Sequence, residues 1–91
     1  MEQPVSKEIN PGNELARAYR YIRNGHWRIA IIYLDHLQQK YPNWGEVFMA
    51  RAIAFYAIED SVGMIKALRH ACVLDNQEAC SELLGLNAEL P

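Results

Sequence analysis

Three histidines, His26, His36 and His70, and two cysteines, Cys72 and Cys80, are the side chains of this sequence that could ligate a metal or act as nucleophiles. Zinc needs ligands in tight pairs, such as two cysteines separated by two residues, because four donors must converge on one ion. No such pair is present. His70 and Cys72 stand two apart on a helical segment and so point to different sides, while Cys80 lies past a helix end. Both cysteines therefore read as core thiols, kept reduced because no secretory signal is present. Nor is there a glycine-rich phosphate loop, a serine in a nucleophile elbow, or an acidic pair placed for acid–base work. The expectation is a chain that is not an enzyme, with no catalytic residue, metal ligand or cofactor.

Composition narrows what remains. A chain of 91 residues has room for one domain with one modest core, which rules out an enzyme with a cleft between two lobes. Half of its residues are hydrophobic, slightly rich for a chain with so much surface per residue, so some apolar surface is available for a partner. The formal charge is -2, and nine Lys and Arg are scattered from Lys7 to Arg69, leaving no basic face for nucleic acid phosphates. The apolar runs at 29–34 and 52–58 fall far short of the roughly 20 residues a membrane-spanning helix needs. With no basic segment followed by an apolar one at the start, a soluble cytoplasmic protein without membrane insertion is expected.

The elements that must carry any binding surface are helices. Residues 1–12 are polar and hold Pro4, Pro11 and Gly12, which predicts a flexible arm, with a helical domain over 13–91. Asn13 is a candidate N-cap for a first helix through Leu15, Ala18, Tyr19 and Ile22, ending at Asn24-Gly25. A second runs from Trp27 to about Lys40 and stops before Pro42. Asn43 is a candidate cap for a third over 45–58, expected to be the most buried. Asp60-Ser61 opens a fourth over 62–74, and a short fifth spans about 78–85, bounded by Gly85. No segment alternates as a strand does.

Displaced by 34 positions, the chain matches itself without a gap: Leu15-Ala16-Arg17-Ala18 falls on Met49-Ala50-Arg51-Ala52, and Ile31, Leu34 and His36 fall on Ile65, Leu68 and His70. Two units, about 13–44 and 45–78, are followed by the closing helix. The two equivalent histidines read as outer-face residues of second helices. The first unit resembles tetratricopeptide repeats in Ala18, Tyr21, the turn glycine Gly25, aromatic Trp27, small Ala30, Leu34 and closing Pro42. The second does so in Ala52, Phe55, Leu68, Ala71 and Asp75. It departs at Glu59, Met64 and Asn76, where that pattern has glycine, a small residue and proline. Arg17 and Arg51 stand where the family usually has leucine, so their stems are expected on apolar surface and their heads in water. The resemblance implies an all-α stack of two helix-turn-helix repeats plus a capping helix.

It also implies a concave face lined by first helices, here Leu15, Tyr19 and Ile22, then Met49, Ile53 and Tyr56. These are apolar, and the lysine, arginine and asparagine with which family members clamp acidic tails are missing. Such a lining suits an apolar helix or segment of a partner protein. Two repeats with open ends call for completion by that partner or by a second copy. In size, architecture and groove character the chain resembles the small tetratricopeptide-like chaperones of bacterial type III secretion, which hold an aggregation-prone subunit such as the needle protein, often with a small helical co-chaperone. An adaptor or self-assembling scaffold that joins folded proteins is the competing expectation.

Overall fold

The computed structural model describes residues 11–87, and among them every regular element is a helix. In chain order these are α1 (Pro11–Arg23), α2 (Trp27–Lys40), α3 (Gly45–Ala57), α4 (Ser61–Val73) and α5 (Gln77–Gly85). α1 packs on α2 and α3, α3 on α2 and α4, and α5 on α4, so helix-turn-helix pairs stack in sequence. The arm expected over 1–12 is corrected at its end, because Pro11 and Gly12 are already helical. Proline is compatible with a first turn, where its missing N–H would have no intrahelical partner. The rest of that arm lies outside the described residues. Asn43 does not cap α3 either. That position belongs to Trp44, in extended backbone and without a side-chain cap, after a turn closed by the Trp44 amide donating to the Tyr41 carbonyl at 3.2 Å. Pro42 and Asn43 are the middle residues of that turn, a place proline favours.

The 34-residue period is reproduced bond for bond at the turns. The Gly25 amide donates to the Ile22 carbonyl at 3.1 Å and His26 to Tyr21 at 2.9 Å; 34 residues on, Glu59 donates to Tyr56 at 3.0 Å and Asp60 to Phe55 at 2.9 Å. This pair of bonds defines a Schellman ending, whose penultimate residue must be left-handed. Gly25 is so at φ +81, but Glu59 has φ 62 despite its side chain. The α4–α5 turn repeats the motif with Asp75 at φ 67 and Asn76 bonded to Ala71 at 3.0 Å. Asp60 and Asn76 then cap the next helix through their side chains, to the Gly63 and Ala79 amides, each at 2.9 Å.

These dihedrals set opposite expectations for equivalent positions. A Cβ on Gly25 would meet nothing within 4 Å, so the cost of Gly25→Val is purely that of the backbone, about 1–3 kcal/mol. Glu59→Gly relieves the same conformation and should stabilise by about 1 kcal/mol. Urea melts of the two variants decide the matter: a neutral Gly25→Val would show that the turn is misassigned.

Packing forms two clusters joined by α3. Leu15, Ala18, Leu34, Leu37, Val47 and Ala50 make the first. Phe48, Met49, Ala52, Ala67, Leu68, Ala71, Ala79 and Leu83 make the second. α3 feeds both from opposite sides, which is why it has the most buried residues of any helix. Fully buried alanines, including Ala30 at the expected crossing, let neighbouring backbones approach closely. Arg17 lies over the Tyr33 ring and Arg51 over Phe55, at 5.9 and 5.4 Å. Arg51 Nη1 also reaches Asp35 at 3.3 Å. The arginines thus cover aromatic surface instead of entering the core.

The first hairpin is closed by Glu14, which accepts from Lys40 Nζ at 2.7 Å and from the Tyr41 hydroxyl at 2.6 Å. Burial alone would raise its pKa, but these two bonds and the charges of Lys40 and Arg17 outweigh it and hold the carboxyl below its ordinary value. The second hairpin is fastened to α5 differently. Cys72 and Cys80 form a disulfide with Cα atoms 4.9 Å apart, which corrects the expectation of two reduced, separate thiols. The tight turn at Leu74-Asp75-Asn76 folds α5 back on α4, bringing residues eight apart in sequence face to face.

Candidate protein-binding groove

The six residues expected to line a concave face divide into three groups. Leu15 and Met49 belong to the core, 7% and 8% exposed; for Leu15 this corrects its assignment as groove lining, while Met49 keeps only its edge open to the groove described below. Tyr19 and Ile22 are half-buried against the first cluster. Ile53 and Tyr56 are exposed, at 37% and 71%. α1 is packed between α2 and α3, which turns Leu15 inward and leaves it no groove to face.

A groove of about 470 Å³ does exist, one step further along the stack. Met49, Ile53 and Tyr56 of α3 form one side, at the spacing of four and three that keeps residues on one helix face. Ala52, with Met64 and Leu68 of α4, makes the floor. Glu78 and Glu82 of α5, with Leu86 just past its end, form the opposite side. Leu86 is 46% exposed. The first-unit trio, Leu15, Tyr19 and Ile22, does not line this groove. α5 was expected only as a closing cap, although Glu78, Glu82 and Leu86 recur every four residues, a one-face stripe legible in the sequence.

The electrostatics of the groove are one-sided. Its lining contains two carboxylates and no Lys, Arg or His. Tyr19, on the neighbouring face of α1, has its phenol pKa pushed above the ordinary value first by burial and then by the negative charges of Glu46 and Glu78. Glu46 and Glu78 occupy the first turns of α3 and α5, where a carboxylate also complements the helix dipole. On the other side of α3 a second depression, about 360 Å³, holds Arg51, Lys66 and His70, with the His70 ring stacked on Phe48 at 4.4 Å. Both His36 and His70 are solvent-exposed on second helices.

An apolar channel of this kind desolvates apolar side chains of whatever enters it. Among the described residues no group of three or more His, Cys, Asp or Glu is placed to hold a metal ion. No helix among them is long and apolar enough to cross a membrane. Compared with protein-family models, with curated proteins and with solved structures, the chain matches none.

Proposed function

We propose that the chain is a non-enzymatic protein-binding module, a small tetratricopeptide-like chaperone that holds an apolar helix or segment of a partner in the α3–α5 groove. The type III secretion chaperones of needle subunits, which act in virulence, are the proposed functional analogues. The observation that carries the reading is the convergence of exposed Ile53, Tyr56 and Leu86 on one channel. Isolated apolar side chains on a surface need no explanation, whereas several gathered in a concavity mark a place of association. Met49 and Met64 line the same channel, and their flexible side chains adapt to a helical ligand.

Co-purification from the native source with mass spectrometry, comparing the unaltered chain with Ile53→Glu and Tyr56→Glu, tests this. Both variants should keep their helical circular dichroism, because both positions are already open to water. Each should weaken capture of the partner roughly a hundredfold by placing an unpaired carboxylate in the apolar contact. A chaperone cargo should be a small protein that aggregates when expressed alone, and partners stable by themselves would favour the adaptor. Normal capture by folded Tyr56→Glu and Ile53→Glu would remove the groove from consideration.

A further inference from the structure

The groove has a polarity along its axis. α3 and α5 are each antiparallel to α4 and therefore run in the same direction. α5 presents carboxylates first and an apolar side chain later, Glu78 and Glu82 before Leu86, while α3 lines the channel with Met49, Ile53 and Tyr56, and Glu46 lies one turn before Met49, outside the lining. The negative charges of Glu46 and Glu78 both act on the Tyr19 phenol, and Tyr56 and Leu86 meet again in the depression that adjoins the channel. One end is acidic and the other apolar. The described ion pairs, Lys40 with Glu14 and Arg51 with Asp35, involve none of these three carboxylates. Of the Lys and Arg of α3 and α4, Arg51 and Lys66 line the depression on the opposite side of α3, and Arg69 lies beside Lys66, His70 and Val73, also away from the groove.

Helix dipoles account for Glu46 and Glu78 without any ligand, since both sit in first turns. They do not account for Glu82, which lies in the second half of α5 where the dipole disfavours a carboxylate, and which still faces the channel. Nor do they account for a chain of net charge only -2 keeping every described Lys and Arg out of this groove. Carboxylates bordering an apolar channel favour cations beside the entering apolar stripe and repel an acidic flank.

From this distribution we infer that the occupant of the groove is an amphipathic helix with lysine or arginine beside one end of its apolar stripe. The cationic end seats against Glu78 and Glu82, and the apolar end against Tyr56 and Leu86. The inference rests on the groove reading above and adds the charge and orientation of the partner. Two helix faces, each with a stripe of about two turns, match a ligand that presents anchors at positions i, i+4 and i+7.

Three labelled helical peptides with the same apolar stripe, flanked at one end by lysine, glutamine or glutamate, test it by fluorescence anisotropy against the full chain. At low ionic strength the lysine peptide should bind roughly tenfold or more tightly than the glutamate peptide, with glutamine between them. The spread should shrink at about 0.5 M salt, where the screening length falls to a few ångströms. Glu82→Lys, at an exposed position, should compress or invert the order without changing circular dichroism, and Glu82→Gln should give an intermediate effect. Equal binding of the three peptides, with loss on Tyr56→Glu, would overturn the charge assignment and leave the groove standing. Failure of all three to bind would overturn both. Concentration-dependent dimerisation of the free chain that Tyr56→Glu abolishes would assign the groove to a second copy and overturn the cationic partner.

Discussion

Leu34→Ala should destabilise the fold by about 3–4 kcal/mol, the largest effect expected of any single truncation in the first hairpin. Leu34 is wholly buried and is among the largest side chains in that state. It meets Leu15 and Ala18 of α1, Leu37 of its own helix, and Val47 and Ala50 of α3 in one cluster. Removing its branched end leaves a cavity that helices fixed by Schellman turns cannot close, and Leu→Ala changes at such sites cost about 2–5 kcal/mol. A chain of 91 residues has roughly 5–14 kcal/mol of total stability, so the variant should be partly unfolded at physiological temperature. Leu68 holds the equivalent place in the second unit and is 3% exposed. Its truncation should cost a similar amount, and because the two residues belong to separate clusters the costs should add to within about 0.5 kcal/mol. Urea denaturation of both single variants and the double variant measures this, and a cost below about 1 kcal/mol for Leu34→Ala would mean that α2 does not pack as described.

That equivalence was legible in the sequence because a repeat fixes composition and spacing together. Trp27, Ala30, Leu34 and Pro42 each report a different requirement of one hairpin, namely its start, its crossing, its core and its end. α2 accordingly has the bounds that the sequence predicts. Single-residue signals did less well. Pro11 suggested a break where it opens a helix, and Asn43 suggested a cap where a proline turn hands that place to Trp44. Glu59 looked like a departure from the repeat, yet its backbone takes the left-handed conformation of its counterpart Gly25. Hydrogen bonds of the turn enforce that conformation whatever the side chain.

The candidate site was half legible for a related reason. Helical spacing predicts that Met49, Ile53 and Tyr56 share a face, and they do. It cannot say whether a neighbour covers that face. Leu15, Tyr19 and Ile22 have the same spacing in the first unit, but α3 packs over them, whereas no following hairpin covers α3 in the same way among the described residues. The difference depends on where the stack ends, which periodicity does not encode. α5 therefore changes from a mere cap into one wall of the groove.

Because α5 forms that wall, the Cys72–Cys80 disulfide should govern the groove more than the fold. The bond closes a loop of about nine residues, for which chain entropy predicts roughly 2.5 kcal/mol of stabilisation. In a sequential stack this is felt locally, since α5 packs chiefly on α4 through Ala79 and Leu83 while the first hairpin has a separate cluster. Reduction, or the Cys72→Ser/Cys80→Ser double variant, should therefore speed amide exchange across α5 by roughly fiftyfold and leave α1 and α2 within about twofold. Loosening α5 displaces Glu78, Glu82 and Leu86 together, so the lysine-flanked peptide should lose affinity and much of its advantage over the glutamate-flanked one. Hydrogen exchange read by mass spectrometry, with and without reductant, separates the outcomes. Unchanged exchange in α5 would mean that Ala79 and Leu83 hold it without the disulfide. Acceleration spread evenly from α1 to α5 would mean that the two clusters unfold as one, and that the bond supports the whole fold instead of one wall.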